Sequence, residues 1–179
     1  MINEKSNGKE AIVIIDVQMG LFVDPHLTLY KEDEVLENIK KLIDYGHSNK
    51  IPIVYIQHCD EDGEFKKGCD TWEINPVIKP SSKDIVVEKT SWDGFLNTQL
   101  HDTLQKLGVE ELIIAGMQTE FCLDTTLRRA YSMGYKNRVI SDAHTTFDSE
   151  TLKADQIISH HHRIWEGRFA KLLSTNEII

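Results

Sequence analysis

Strand-length apolar runs alternate with amphipathic stretches along this chain, and that alternation limits the fold more than any other feature. The runs are AIVIID (Ala11–Asp16), IPIVYIQ (Ile51–Gln57), IVVEK (Ile85–Lys89), ELIIAG (Glu111–Gly116) and RVISDA (Arg138–Ala143). Between them, the stretch from Asp33 to Asn49 places Val35, Ile39, Leu42 and Ile43 on one helical face. The stretch from Phe95 to Leu107 does the same with Leu96, Leu100, Leu104 and Leu107, and Gly108 is placed to end it. A helix after Cys122 carries Leu123, Leu127 and Ala130 and stops at Gly134. A last helix is expected from a cap at Asp148 or Ser149 to about His162, followed by a weakly signalled strand near Phe169–Leu173. Continuous apolar runs suit strands buried on both faces, and strands alternating with helices suit a parallel sheet. The pattern predicts an α/β fold: one three-layer α/β/α domain over residues 1–179 with five or six parallel strands. Residues 1–9 read as a polar N-terminal extension.

Charge and cysteine usage narrow the partners. Asp and Glu outnumber Lys and Arg by 29 to 20, a formal net charge of −9, so a phosphate backbone would be repelled and no nucleic acid partner is expected. The apolar runs are strand-sized, which predicts no membrane partner. The opening MINEKSNGKE lacks the apolar core of a signal peptide. The three cysteines, Cys59, Cys69 and Cys122, include no C-x-x-C pair. Free thiols in a reducing, cytoplasmic compartment are the simplest expectation.

In open α/β sheets ligands bind beyond the carboxyl ends of the strands. Three reactive residues fall there: Asp16 at the end of the first strand, Lys89 at the end of the third, and Cys122 in the first turn after the fourth. A thiol reacts as its thiolate, and a helix start and a nearby lysine are both expected to lower its pKa. A carboxylate in reach can take the thiol proton and return it to a leaving group. That set suits acyl transfer from a C–N bond to sulfur. Position alone also allows a buried structural thiol, a turn-capping carboxylate and a lysine in water.

The stretches AIVIIDVQMGLF, VVEKTSWDGF and LIIAGMQTEFCLDTTLRRAYSMGY, followed by SDAH and IISHHH, resemble the isochorismatase-like cysteine hydrolases. That group includes nicotinamidases, carbamoyl amidohydrolases, streptothricin-hydrolysing enzymes and isochorismatases. The resemblance implies a six-stranded parallel sheet in the order 3-2-1-4-5-6, with Asp16 as general base, Lys89 as charge stabiliser and Cys122 as nucleophile. It implies a cis peptide at Met117–Gln118, with the backbone N–H groups of Gln118 and Cys122 forming an oxyanion hole. In that strand order Lys89 lies on an edge strand, so its loop is expected to fold back over the site. The substrate is expected to be a small molecule, and the assembly a homodimer or larger homo-oligomer. The segment QHCDEDGEFKKGCD holds His58, Asp60 and Asp62 but lacks the histidine pair of the nicotinamidase D-x-H-x-x-H site, so no metal and no cofactor is expected. An amidase-like Asp-Lys-Cys hydrolase working through a thioester is the leading expectation. The alternatives are an isochorismatase-type vinyl-ether hydrolase that does not need Cys122, and a ligand-binding or redox-responsive protein without turnover.

Gln18, Phe22, Trp92, Phe95 and Phe121 neighbour these residues in sequence and are candidate substrate contacts, core packing being the alternative for the aromatics. Asp142 and His144 could brace the Cys122 turn. Successive residues on a helix face different ways, so His160, His161 and His162 are expected to suit a helix end better than one metal. Cys59 and Cys69 read as ordinary loop thiols. The polar segment Cys59–Ser82 is too long for a simple connection, and Trp72 within it could belong to a lid.

Overall fold

The computed structural model describes residues 9–179, so most of the expected N-terminal extension lies outside the described residues. Six strands form one sheet: β1 (Lys9–Ile15), β2 (Ile53–His58), β3 (Ile85–Lys89), β4 (Val109–Met117), β5 (Lys136–Thr145) and β6 (Lys171–Leu173). Their order is β3-β2-β1-β4-β5-β6, and every pairing is parallel. The helices are α1 (Glu32–Asn49), α2 (Leu100–Leu107), α3 (Asp124–Ser132), α4 (Ala154–Trp165) and α5 (Thr175–Ile178). Among the described residues no helix is long and apolar enough to cross a membrane.

The unbroken apolar runs follow from burial on both sides. Ala11, Val13 and Ile15 of β1 pack with Leu100, Leu104, Leu127 and Trp165, beneath α2, α3 and α4. Ile12 and Ile14 point the other way and pack with Ile39, Leu42 and Ile178, beneath α1 and α5. Side chains alternate faces along a strand, so a strand with a helix layer on each side is apolar throughout.

Local chemistry moves several boundaries. The helix expected from Phe95 begins only at Leu100. Asp93 Oδ1 accepts the Phe95 N–H at 2.8 Å, Thr98 Oγ1 donates to the Gly94 carbonyl at 2.6 Å, and Asn97 is left-handed at φ 56°. These side chains take the backbone groups a helix would need, and Leu96 stays exposed. Asp148 does accept the Ala154 N–H at 2.9 Å, but from six residues away, so α4 starts later than expected. Helix α5 escaped the apolar-run analysis, although Ser174 and Glu177 form a capping pair in which Glu177 Oε2 accepts the Ser174 N–H at 2.7 Å.

The winding direction switches once, at the centre of the sheet. β1 lies between β2 and β4, so the chain leaves β1 toward one edge and returns on its other side to form β4. The crevice at this switch point opens above the ends of β1 and β4. There the strands approach too closely for a side chain: Gly116 has φ 126°, and a Cβ on it would lie 2.1 Å from the Ile15 carbonyl oxygen. Gly116→Ala is expected to cost on the order of 3–5 kcal/mol in urea unfolding. Gly63→Ala, at φ 79° with open space around it, is expected to cost only about 1 kcal/mol. Equal losses in the two variants would contradict this account of the crevice.

Candidate active site

Asp16 follows β1 in a left-handed conformation, φ 50°, which turns the chain sharply and leaves the residue buried. Aspartate is one of the few residues that enters this region at modest cost. Lys89 is the last residue of β3, opposite His58 of β2, and its carbonyl accepts the Cys59 N–H at 2.8 Å. No loop folds back to deliver it, contrary to the expectation drawn from its edge position. The lysine stem itself is long enough to cross the end of β2, and Nζ reaches Asp16 Oδ2 at 2.6 Å. Cys122 lies in a widened π turn, Thr119–Leu123, where the Leu123 N–H donates to the Gln118 carbonyl at 3.2 Å before α3 begins. Lys89 Nζ donates to Cys122 Sγ at 3.3 Å and to His58 Nδ1 at 2.9 Å. The ammonium therefore sits among a carboxylate, an imidazole and a thiol.

Asp16, His58 and Cys122 bring three ligand-type atoms within 4.8 Å of one another. Lys89 touches all three, so a metal ion there would have to displace the ammonium. Besides that ion pair, the Cys122 thiol is placed to hydrogen-bond the Asp16 carboxylate.

Burial sets the proton positions. It pushes the Asp16 carboxyl above the ordinary carboxylate range, against the pull of the Lys89 charge. It pushes the Cys122 thiol up to about 12, the Asp16 charge adding to the rise and Lys89 opposing it. This is the reverse of the lowering expected at a helix start, because the π turn holds Sγ beside a buried carboxylate, where desolvation and like charge outweigh the dipole. At neutral pH the thiol keeps its proton in the resting site.

The cavity above these groups holds about 250 Å³ and is lined by Asp16, His58, Asp60, Phe65, Trp92 and Phe121, with Leu21, Met117, Gln118 and Cys122. The Met117–Gln118 peptide is cis, and no acceptor for the Gln118 N–H is present among the described residues. Trp92 and Phe121 lie at the cavity with ring centroids 5.6 Å apart. Three of the sequence candidates do not reach it. Phe95 is buried against Tyr135, ring centroids 5.8 Å apart, and Phe22 packs on the α1 side of the sheet.

Gln18 is fully buried, and its amide is spent on the backbone. Its Nε2 donates to the carbonyls of Trp72 at 2.8 Å and His58 at 3.0 Å, and its Oε1 accepts the His58 N–H at 2.7 Å. Gln57 Nε2 also donates to the Trp72 carbonyl at 3.0 Å. These bonds fasten the long Cys59–Ser82 segment to the strand ends, so Trp72 is an anchor and not the tip of a lid. Fastening this segment brings Asp60 and Phe65 to the cavity, which their sequence neighbourhood did not signal. His58 was legible only as a fragment of a metal pattern.

Thr119, one residue beyond Gln118, is braced from behind. Its hydroxyl meets His144 Nδ1 at 2.9 Å, and His144 Nε2 meets His162 Nε2 at 2.8 Å. His161 Nδ1–H instead donates to the Ile157 carbonyl at 2.9 Å, so adjacent histidines of α4 serve different contacts. Asp142 does not brace the turn; its Oδ1 accepts from the Thr175 N–H and hydroxyl at 2.8 and 2.7 Å.

An isochorismatase domain model matches residues 10–177. The chain belongs to the isochorismatase family. An isochorismatase of Pseudomonas putida KT2440 superposes with a TM-score of 0.89 at 29% identity, over 98% of this chain and 94% of that one. An uncharacterized isochorismatase family protein of Bacillus subtilis, YddQ, is 31% identical over 139 residues, 76% of this chain and 77% of its own length. A ureidoacrylate amidohydrolase of Acinetobacter baylyi is 25% identical over 169 residues, 74% of this chain and 69% of its own length. The family is thus one of hydrolases that includes amide-cleaving members.

Two outcomes follow from the buried charges. Asp16→Asn removes the charge that raises the thiol pKa, so the apparent pKa of Cys122 in pH-dependent iodoacetamide labelling is expected to fall, whereas Lys89→Met is expected to raise it. A rise in the Asp16→Asn variant would contradict the assigned electrostatics. Burial holds His144 neutral, far below its ordinary value at about 3. The unfolded chain takes up that proton near pH 6.5. This contribution to stability is therefore whole above pH 6.5 and is lost as pH falls toward 3, by roughly 1.4 kcal/mol per pH unit at most. Urea midpoints compared between the wild type and His144→Gln from pH 7 to 4 should show a shallower decline in the variant.

Proposed function

We propose that this chain is a cysteine hydrolase that cleaves a small-molecule amide or related C–N bond through a Cys122 thioester. The observation that carries this reading is the convergence of a thiol, a carboxylate and an ammonium from three separate strand ends at the floor of one cavity. A solvent-facing lysine or a turn-capping aspartate would not be buried with the others.

In the resting site the proton is on sulfur and the carboxylate is paired with Lys89. As a substrate carbonyl approaches, the Cys122 proton passes to Asp16, whose carboxyl is raised above the ordinary carboxylate range by burial and so accepts a proton more readily than a free aspartate. Sulfur attacks the carbonyl carbon, and the C=O pair moves onto oxygen. The Gln118 and Cys122 N–H groups receive that oxyanion. Lys89 holds the Asp16 carboxylate in place and balances the negative charge that forms on sulfur. Collapse of the adduct breaks the C–N bond, Asp16 returns its proton to the departing nitrogen, and an acyl thioester remains. Asp16 then takes a proton from water, hydroxide equivalent attacks the thioester, and the acid leaves as the thiol is reprotonated.

The test uses Cys122→Ala and Cys122→Ser with a panel of small amides, ureido compounds and lactams, reading acid or ammonia release. Loss of turnover by about 10³-fold or more is expected in both variants. Hydroxylamine added to the wild type should trap the acyl group as a hydroxamate. Full turnover by Cys122→Ala would overturn the thioester route.

A further inference from the structure

The lining of the cavity above Cys122 includes the carboxylates Asp16 and Asp60 and no lysine or arginine. Lys89, beneath it, neutralises Asp16, so the uncompensated charge of the lining is that of Asp60. Two lysines of the fastened segment are engaged elsewhere: Lys67 pairs with Glu88 at 2.6 Å, and Lys66 stands 3.6 Å from Asp62. Glu120, two residues before Cys122, forms no salt bridge among the described residues.

The charge on Asp60 is not cancelled by its histidine neighbour. Lys89 Nζ can only donate, so His58 Nδ1 must accept at 2.9 Å, and the ring proton sits on Nε2. Nε2–H donates to Asp60 Oδ1 at 2.9 Å. A neutral imidazole therefore orients Asp60, and the second carboxylate oxygen has no hydrogen-bond partner among the described residues. The Asp60 side chain is 48% exposed, open to a ligand.

The remaining wall is aromatic. Trp92 and Phe121 line the cavity and are 61% and 40% exposed. Aromatic faces attract cations, more strongly where water is partly excluded. A carboxylate at the mouth beside Asp60 would meet a like charge and ring faces, whereas an ammonium there would find partners of both kinds.

Building on the hydrolase reading above, we infer that the substrate carries a cationic group, an ammonium or guanidinium, at the end remote from its scissile carbonyl, received by Asp60 and the faces of Trp92 and Phe121. The acyl portion enters over Cys122, and the cation remains at the mouth. Asp60 and the aromatic pair are specificity residues, distinct from the groups that make and break bonds.

Charged thiol reagents test this without any turnover. Trimethylammonioethyl, methyl and sulfonatoethyl methanethiosulfonate each transfer their thioalkyl group to sulfur, breaking the reagent's S–S bond and releasing methanesulfinate. Rates of modification at Cys122, read by peptide mass and normalised to the same reagents with 2-mercaptoethanol, should favour the cation over the anion by about tenfold or more at low salt. Asp60→Asn keeps an acceptor for His58 and removes the charge, and should shrink that ratio at least threefold, the neutral reagent serving as the reference within each protein. Equal cation and anion rates, or a ratio unchanged in Asp60→Asn, would overturn the inference. A parallel series of ω-aminohexanamide, hexanamide and adipic acid monoamide separates the two readings. Ammonia released fastest from the monoacid would sink the cation inference and leave the hydrolase reading standing. Charge-selective labelling without ammonia release from any of the three would support the cation inference and count against the hydrolase reading alone.

Discussion

The ion pair between Asp16 and Lys89 is the interaction on which the rest of the site depends. Both side chains are removed from water, at 5% and 0% exposure. Burying two such charges costs several kcal/mol per ion, and only close, fixed geometry offsets it. That geometry requires the ends of β1 and β3 to be held in register across β2, which the ladder from Val54–Ile85 to His58–Lys89 provides. Burial keeps the Cys122 thiol neutral at rest, the Asp16 charge adding to the effect and Lys89 opposing it. That arrangement is poor for a free thiolate and is compatible with the proposed route, in which the thiol loses its proton to Asp16 only during attack.

Around that pair, polar side chains convert a loop into a wall. Gln18 and Gln57 both spend their amides on the Trp72 carbonyl, and Gln18 also bridges to His58. Buried amides with all their partners met are rigid, because any movement leaves a desolvated donor behind. The outcome is that Asp60 and Phe65 are presented at the cavity by a segment with little regular structure. His144 does similar work behind Thr119, where a neutral buried imidazole backs the turn that carries Gln118 and Cys122.

Much of the fold was legible because its signal is local and repeated. Apolar runs buried on both faces follow from a parallel sheet with helices above and below, and β1, β2 and β4 carry that signature strongly, while the edge strand β3 exposes Val86. β6 is three residues long and half-buried, so its signal was weak. Boundaries shifted where side chains compete for backbone groups, as Asp93 and Thr98 do before α2. Among the site residues, Trp92 and Phe121 reach the cavity while Gln18, Phe22 and Phe95 do not. Sequence proximity to Asp16 or Lys89 is a poor guide to facing, because neighbouring residues at a strand end point in opposite directions.

By itself, then, the sequence determined the α/β class and the residues that end the strands: a carboxylate, an ammonium and a thiol. Family resemblance supplied the strand order. What only the tertiary structure decided is how those groups act on one another. The reach of Lys89 across β2, the elevated pKa of Cys122 and the tautomer of His58 all depend on distances of a few ångströms between residues 30 to 100 positions apart in the chain. Electrostatic interactions in a dry crevice change steeply over such distances. No pattern along the chain encodes them, and they exist only once the sheet has closed around its switch point.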